Sequence, residues 1–166
     1  KNIRMLCGEP LLAYTTKAAL DSRFINRVIL STDDNEIKQI GLNLGVEAPF
    51  DRPVELASDD SPGLDVIQHA IKTIFDLEHY KPDLIVILQP TSPLRTTHHI
   101  DQAIKQFIGS GCDSLVSITE VPHNCNPYSI MQRTKKGLLE PFLKYNEKSN
   151  LRQKKPIFYA RNGAAI

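Results

Sequence analysis

The stretch "VILQPTSPLR", Val86–Arg95, closes the apolar run "DLIVILQ", Asp83–Gln89. An uninterrupted apolar run of this length, without helical spacing, is the mark of a strand covered on both faces. It then turns polar within one residue. Gln89, Thr91, Ser92 and Arg95 follow, held between Pro90 and Pro93. Proline fixes φ and stiffens a loop, so polar groups presented there lose little entropy when they bind something. The segment therefore predicts a buried strand that ends in a rigid, polar binding loop.

On either side, strand and helix patterns alternate. Upstream lie the helical spacing of "PLLAYTTKAALDS", the strand "RVILSTDD", the helical "NEIKQIGLNLG" ending at Gly45, the short strand "VEAPF" and the helix "LDVIQHAIKTIFDLE". Downstream come "HIDQAIKQFIGSG", with Ile100, Ala103, Ile104, Phe107 and Ile108 on one face, and the strand "DSLVSITEV". This rhythm predicts an α/β fold with a mainly parallel sheet and helices on both sides. After Val121 the rhythm stops. "PHNCNPYSIMQRTKKGLLEPF" reads as a loop and a hairpin, "YNEKSNLRQKK" as a polar loop, and "PIFYARNGAAI" as a last strand.

Composition narrows the functional classes. The chain has 166 residues, 41% hydrophobic and 23% charged, with formal net charge +1. Bulk charge therefore gives no case for a nucleic-acid or membrane surface, and no apolar run reaches the length of a membrane span. Cys7, Cys112 and Cys125 are odd in number and widely spaced, which fits neither a disulfide framework nor a zinc motif. They read as reduced thiols of a cytoplasmic protein.

In open α/β sheets, ligands sit beyond the carboxyl ends of the strands. Those ends carry Ser31, Thr32, Asp33 and Asp34; Asp51 and Arg52; Gln89, Thr91, Ser92 and Arg95; and Glu120 and His123. Several have plain structural readings. Asp33 or Asp34 suits a helix cap, as do Asp59, Asp60 and Ser61 before "PGLDV". His98 and His99 read as solvated first-turn residues, and His69 as packed on its helix. Arg52 offers a planar fork to phosphate or carboxylate, or forms an ion pair. Gln89 is harder to dismiss, because its amide supplies both a donor and an acceptor at the mouth of a pocket.

Taken together, "KNIR", "VILSTDD", "DRPVELASDD", "LQPTSPLR", "HIDQAI", "DSLVSITEVPH" and "RQ...YARNGAA" resemble the acylneuraminate cytidylyltransferases, the CMP-sialic acid synthetases. The resemblance runs over essentially the whole chain in the family's order. It implies a Rossmann-like nucleotidyltransferase, a single domain over residues 1–166 truncated at both ends. It also implies a small dimerisation insertion at 138–159. The implied reaction joins CTP to a nonulosonic acid, a nine-carbon acidic sugar, with Mg²⁺ present and release of pyrophosphate. The partners are CTP, the sugar and a second copy in a homodimer. Alternatives are a nucleotidyltransferase with another base or sugar, such as the eight-carbon KDO, and a non-catalytic nucleotide- or sugar-binding protein.

Carried over by position, the resemblance gives Lys1, Asn2, Arg52, Ser61 and Gly63 to the nucleotide. Gly63 departs from the family's usual serine and leaves only backbone for contact there. It gives Gln89, Thr91, Ser92, Arg95, Gln153 and Asn162 to the sugar, and Arg152 to the sugar carboxylate and catalysis. The metal-binding aspartates and the phosphate-cradling loop are expected outside this chain. "PHNCNPYSIM" departs from the sialic acid pattern and turns the expectation toward a relative such as legionaminic or pseudaminic acid.

Overall fold

The computed structural model describes residues 1–58, 60–143 and 155–162. They fall into two units, Lys1–Leu115 and Val116–Gly163.

In the first unit, a two-residue hairpin of β1 (Met5–Leu6) and β2 (Glu9–Pro10) leads into α1 (Leu11–Leu20). The turn between the strands needs Cys7 and Gly8 at positive φ, 48° and 87°. Pro10 occupies the N-cap of α1 and cannot cap it with a side chain. The carbonyls of Asn2 and Arg4 accept the Leu12 and Leu11 N–H groups instead, at 2.8 and 2.9 Å. The free donors of the first turn are thus satisfied by the preceding backbone.

Helices α2 (Asn35–Asn43), α3 (Gly63–Glu78) and α4 (Thr97–Ser110) follow where the apolar spacing predicts them. Asp34 caps α2, accepting from the Glu36 and Ile37 N–H groups at 2.8 and 3.1 Å. Among the described residues no side chain caps α3, and Asp59 lies outside them. Pro62 occupies that N-cap, and the Ser61 hydroxyl turns back to the Glu55 carbonyl at 3.0 Å. At α4, Thr96 and His99 form a reciprocal capping box. The His99 N–H donates to Thr96 Oγ1 at 3.4 Å, and the Thr96 N–H donates to His99 Nδ1 at 3.2 Å. His99, expected to be merely solvated, takes the role that Glu or Gln holds in the usual box.

The core forms where α1 crosses α4. Ala18, Ala19, Ile100 and Ile104 are buried together, and Ile25, Val28, Leu84, Val86 and Leu88 pack against them. Two alanines on α1 let the isoleucines of α4 approach closely, and Ile100 is fully enclosed.

The predicted strands need correction. "RVILSTDD" and "VEAPF" do meet in parallel, but only through one bridge, Ile29 to Glu47. It is closed by bonds from Leu30 N–H to Glu47 O and from Glu47 N–H to Val28 O, at 2.8 and 2.9 Å. Among the described residues the run Leu84–Leu88 forms no ladder and is only partly covered on its second face. Leu84, Val86 and Leu88 face the α1–α4 core while Ile85 is 40% exposed. Ile87 is half-buried, so the second face is partly covered.

The second unit is antiparallel throughout its described ladders. β3 (Ile118–Glu120) pairs with β6 (Tyr159–Arg161), and β4 (Met131–Arg133) pairs with β5 (Leu139–Pro141). The fourth predicted parallel strand is therefore an antiparallel partner of the last one. The hairpin expected at Lys136-Gly137 is present, with Gly137 at φ 80°. All three cysteines are exposed free thiols.

Arg27 ties the parallel bridge to the end of α3. It bonds Glu47 at 3.0 Å through Nε and Glu78 at 2.6 Å through Nη1, and lies 4.8 Å from the Tyr80 ring centre. Hydrogen bonding to Glu47 and then to Glu78 raises the Arg27 pKa, and the same Arg27 bond holds Glu47 below its ordinary value of 4.5. A depressed carboxylate pKa stabilises the fold above the unfolded value, and that contribution is lost as pH falls through the folded one. Arg27→Met should therefore flatten the loss of stability below about pH 4.5, by only about 0.2–1 kcal/mol because Glu47 is partly exposed; urea melts across that range measure it. Ile100→Ala should cost about 2–5 kcal/mol in the same melts, with unchanged slope.

Candidate nucleotide and sugar site

Three groups of candidate residues lie in the first unit. The first is the backbone at Lys1 and Asn2, where the Arg4 N–H also bonds the Lys1 carbonyl at 3.2 Å. The Lys1 side chain is exposed and Asn2 is half-buried, while the Asn2 carbonyl is committed to α1.

The second group is Arg52. Its N–H bonds the Thr32 carbonyl at 3.0 Å, which fixes the residue beside the end of the 28–30 segment. Its Nε donates to Ser31 Oγ at 3.1 Å, and its Nη2 donates to the Ser31 carbonyl. Among the described residues Arg52 forms no salt bridge, whereas the neighbouring Asp51 pairs with Lys38 at 2.5 Å. The ion-pair reading of Arg52 thus has no support among those residues. A half-buried guanidinium oriented by neutral groups keeps its charge for an anion. Asp34 is spent on its cap, and Thr32 Oγ1 accepts the Asp34 N–H at 3.2 Å. Ser61 is occupied by Glu55 and by Ser58 Oγ at 2.9 Å. Gly63 opens α3, and a Cβ there would meet nothing within 4 Å. Space alone does not require the glycine.

The third group is the loop with which the sequence reading began. The Gln89 carbonyl accepts three donors: Arg95 Nη2 at 2.8 Å, the Ser92 N–H at 3.4 Å and Thr15 Oγ1 at 3.4 Å. Arg95 Nη1 also donates to Thr15 Oγ1 at 3.1 Å, and the Arg95 N–H bonds the Ser92 carbonyl at 3.1 Å. Arg95 is 6% exposed, and burial pulls its pKa down. The Gln89 side chain points out, exposed, on this pinned backbone, as does Thr91; Ser92 is half-buried. The loop tip at Leu94 is 90% exposed.

Asn162 belongs to the second unit and finishes its ladder. Its Oδ1 accepts from Ser117 Oγ at 2.5 Å, and its N–H bonds the Ser117 carbonyl at 3.2 Å. Arg152 and Gln153 lie outside the described residues, as does part of the 138–159 stretch. Sequence reading counted Thr15 only as a helix-face residue and so missed its link to Gln89 and Arg95. The available signal was a pair of threonines, Thr15 and Thr16, on the buried face of α1. Among the described residues no group of three or more His, Cys, Asp or Glu could hold a metal ion, and no helix is long and apolar enough to cross a membrane.

The chain is similar to known proteins in both sequence and fold. The sequence profile of the family described as Cytidylyltransferase matches residues 1–166, and the chain belongs to that family. It is 39% identical over 107 residues to an N-acylneuraminate cytidylyltransferase of Escherichia coli, covering 64% of this chain and 24% of that protein. It is 35% identical over 123 residues to a CMP-N,N'-diacetyllegionaminic acid synthase of Legionella pneumophila, covering 73% of this chain and 51% of that protein. The chain thus spans about a quarter to a half of the curated relatives it matches. A solved structure of CMP:2-keto-3-deoxy-manno-octonic acid synthetase complexed with CTP superposes with a TM-score of 0.66 at 14% identity. That match covers 99% of this chain and 66% of the other, and the fold is the nucleotidyltransferase fold of that synthetase.

The three-donor carbonyl makes a prediction about stability. Arg95→Met removes the guanidinium bonds to the Gln89 carbonyl and the Thr15 hydroxyl and leaves that carbonyl with weaker partners. It should lower stability by about 2–4 kcal/mol in urea melts, more than a surface arginine change.

Proposed function

We propose that this chain is the nucleotidyl-transfer part of an enzyme that joins CMP from CTP to a nonulosonic acid, releasing pyrophosphate. The observation that carries the reading is the Gln89 amide, exposed on a backbone held by three donors, in a member of the cytidylyltransferase family. Such a group reads polar ligand atoms at little entropic cost. Arg52 supports the nucleotide side, since its charge is unneutralised among the described residues and its fork is already oriented. Lys1 and Asn2 complete that side as nucleotide contacts, with Ser61 and Gly63 at base and ribose. Thr91 and Ser92 flank Gln89 at the sugar, with Arg95, Gln153 and Asn162 assigned to the same ligand and Arg152 to its carboxylate.

The sugar's anomeric hydroxyl attacks the α-phosphorus, its oxygen forms the new P–O bond, and pyrophosphate leaves. The sugar hydroxyl gives up its proton as that bond forms. The protein's part is to align the two reactants and neutralise phosphate charge. Mg²⁺ is proposed as the cofactor that would neutralise phosphate charge. The described residues supply no ligand set for it.

The relatives' names favour a nine-carbon acidic sugar, legionaminic acid among them, over KDO, because the KDO-related likeness stands at fold level only. A mainly parallel sheet, dimerisation through 138–159, a homodimer and a cytoplasmic location belong to the same reading. The unused apolar surface of the second unit, including Leu138, Leu139 and Phe142, supports the dimer.

Pyrophosphate release by the full protein, with CTP and a panel of nonulosonic acids, tests the activity; no turnover with any of them would reject it. In the same assay Arg52→Met should raise the KM for CTP about 10–100-fold, the worth of a charge-assisted hydrogen bond. Gln89→Ala should raise the sugar KM about 3–10-fold and leave the CTP KM unchanged.

A further inference from the structure

Resting on that reading, we propose that Thr15 and Arg95 form a positioning brace. It fixes the sugar-reading loop to α1, the helix whose first turn is bonded to the backbone of the nucleotide-side residue Asn2. Arg95, assigned by resemblance to the sugar, then acts through Gln89.

The geometry carries this in three parts. First, the Arg95 guanidinium is directed inward. It is buried, and its two terminal nitrogens bond the Gln89 carbonyl at 2.8 Å and the Thr15 hydroxyl at 3.1 Å. Thr15 Oγ1 closes the triangle by donating to the same carbonyl at 3.4 Å. A planar guanidinium bonded at two positions fixes direction as well as distance.

Second, the brace is one of several stitches between α1 and the segment 89–101. Thr97 Oγ1 donates to the Ala18 carbonyl at 3.1 Å, Ser22 Oγ donates to Asp101 Oδ1 at 2.6 Å, and Ala18 and Ala19 are buried with Ile100 and Ile104. Thr15, Ala18 and Ala19 recur at the three- and four-residue spacing of one helix face, and Ser22 follows just beyond the end of the helix. Third, the opposite end of α1 is capped by the Asn2 and Arg4 carbonyls. Thr15 stands only three positions after Leu12, which bonds Asn2. One rigid helical turn thus spans the nucleotide-side backbone and the sugar-side loop, and it sets their separation.

In an in-line displacement, small errors in the relative placement of the reactants cost rate. A brace therefore differs from a ligand contact in what its loss does. Thr15→Val deletes the hydroxyl at nearly constant shape. It should lower kcat about 3–10-fold with the CTP KM unchanged, whereas the loss of a direct sugar contact raises the sugar KM. Thr15→Ser, which keeps the hydroxyl, should recover much of that loss. Arg95→Lys should lose as Thr15→Val does, and the double variant should lose little more than the worse single one, because both remove the same triangle. Arg95→Met is the harsher variant, and Arg95→Lys and Thr15→Val stand in for it if it fails to fold.

The second measurement does not need turnover. Amide hydrogen exchange in peptides covering 89–95 should accelerate at least several-fold in Thr15→Val, with α3 peptides unchanged. Equal exchange in the loop, or multiplying losses in the double variant, would overturn the brace. So would a neutral Thr15→Val beside a crippled Arg95→Lys, which would make Arg95 a direct sugar contact. If the unaltered protein turns over no nonulosonic acid, the functional reading fails and the exchange result still decides the brace.

Discussion

A buried guanidinium cannot stay buried without acceptors, because desolvating its charge costs far more than a single contact returns. Arg95 meets that constraint with the Gln89 carbonyl and the Thr15 hydroxyl, and the first unit is organised around the result. Satisfying Arg95 fixes Gln89; fixing Gln89 sets where the 84–88 segment ends. The Thr15 partnership holds that end against α1, beside the alanine–isoleucine seam with α4. A polar triangle and an apolar seam thus act on the same pair of elements, one supplying direction and the other burial.

The two arginines of the candidate site contrast in use. Arg95 is buried and bonds the neutral oxygens of Gln89 and Thr15, where it serves architecture. Arg52 is oriented by Ser31 with its outer side unneutralised among the described residues, so its charge remains available. Both follow short polar turns after apolar segments, and both are followed or preceded within two residues by proline. Sequence context does not separate them. Burial does, and burial is set by which helix crosses above the loop. The same lesson applies to the aspartates, since Asp34 is spent on α2 and Asp51 on Lys38.

The second unit rests on local pairing. Asn126 is buried and acts as a small hub. Its side chain accepts the Tyr128 N–H at 2.9 Å and donates to the Pro156 carbonyl at 2.9 Å. Lys155 Nζ donates to the Tyr128 carbonyl and to Ser129 Oγ, each at 3.0 Å. The motif "NCNPYS" that departs from the sialic acid pattern is thus partly explained by folding. Its second asparagine orders the turn before β4 and joins it to the residues that lead into β6.

The sequence by itself determined the helices, because their apolar spacing and caps are local: α2 with Asp34 and α4 ending at Gly111 are legible from a dozen residues each. It determined the rigid loop at Gln89, since two prolines act on φ wherever they stand. It also carried the family, through motifs spread along the chain in order. Tertiary structure decided what alternation and charge leave open. "DLIVILQ" reads the same whether one face or two are covered, and only the placement of α1 and α4 shows that Ile85 is left partly exposed. "DSLVSITEV" could not announce its antiparallel partner, because a ladder is fixed by the residue opposite, some forty positions away. Thr15 became a brace for the same reason. Its side chain gained that role only when the Gln89 carbonyl and the Arg95 guanidinium came within hydrogen-bond distance, and that proximity is a property of the fold.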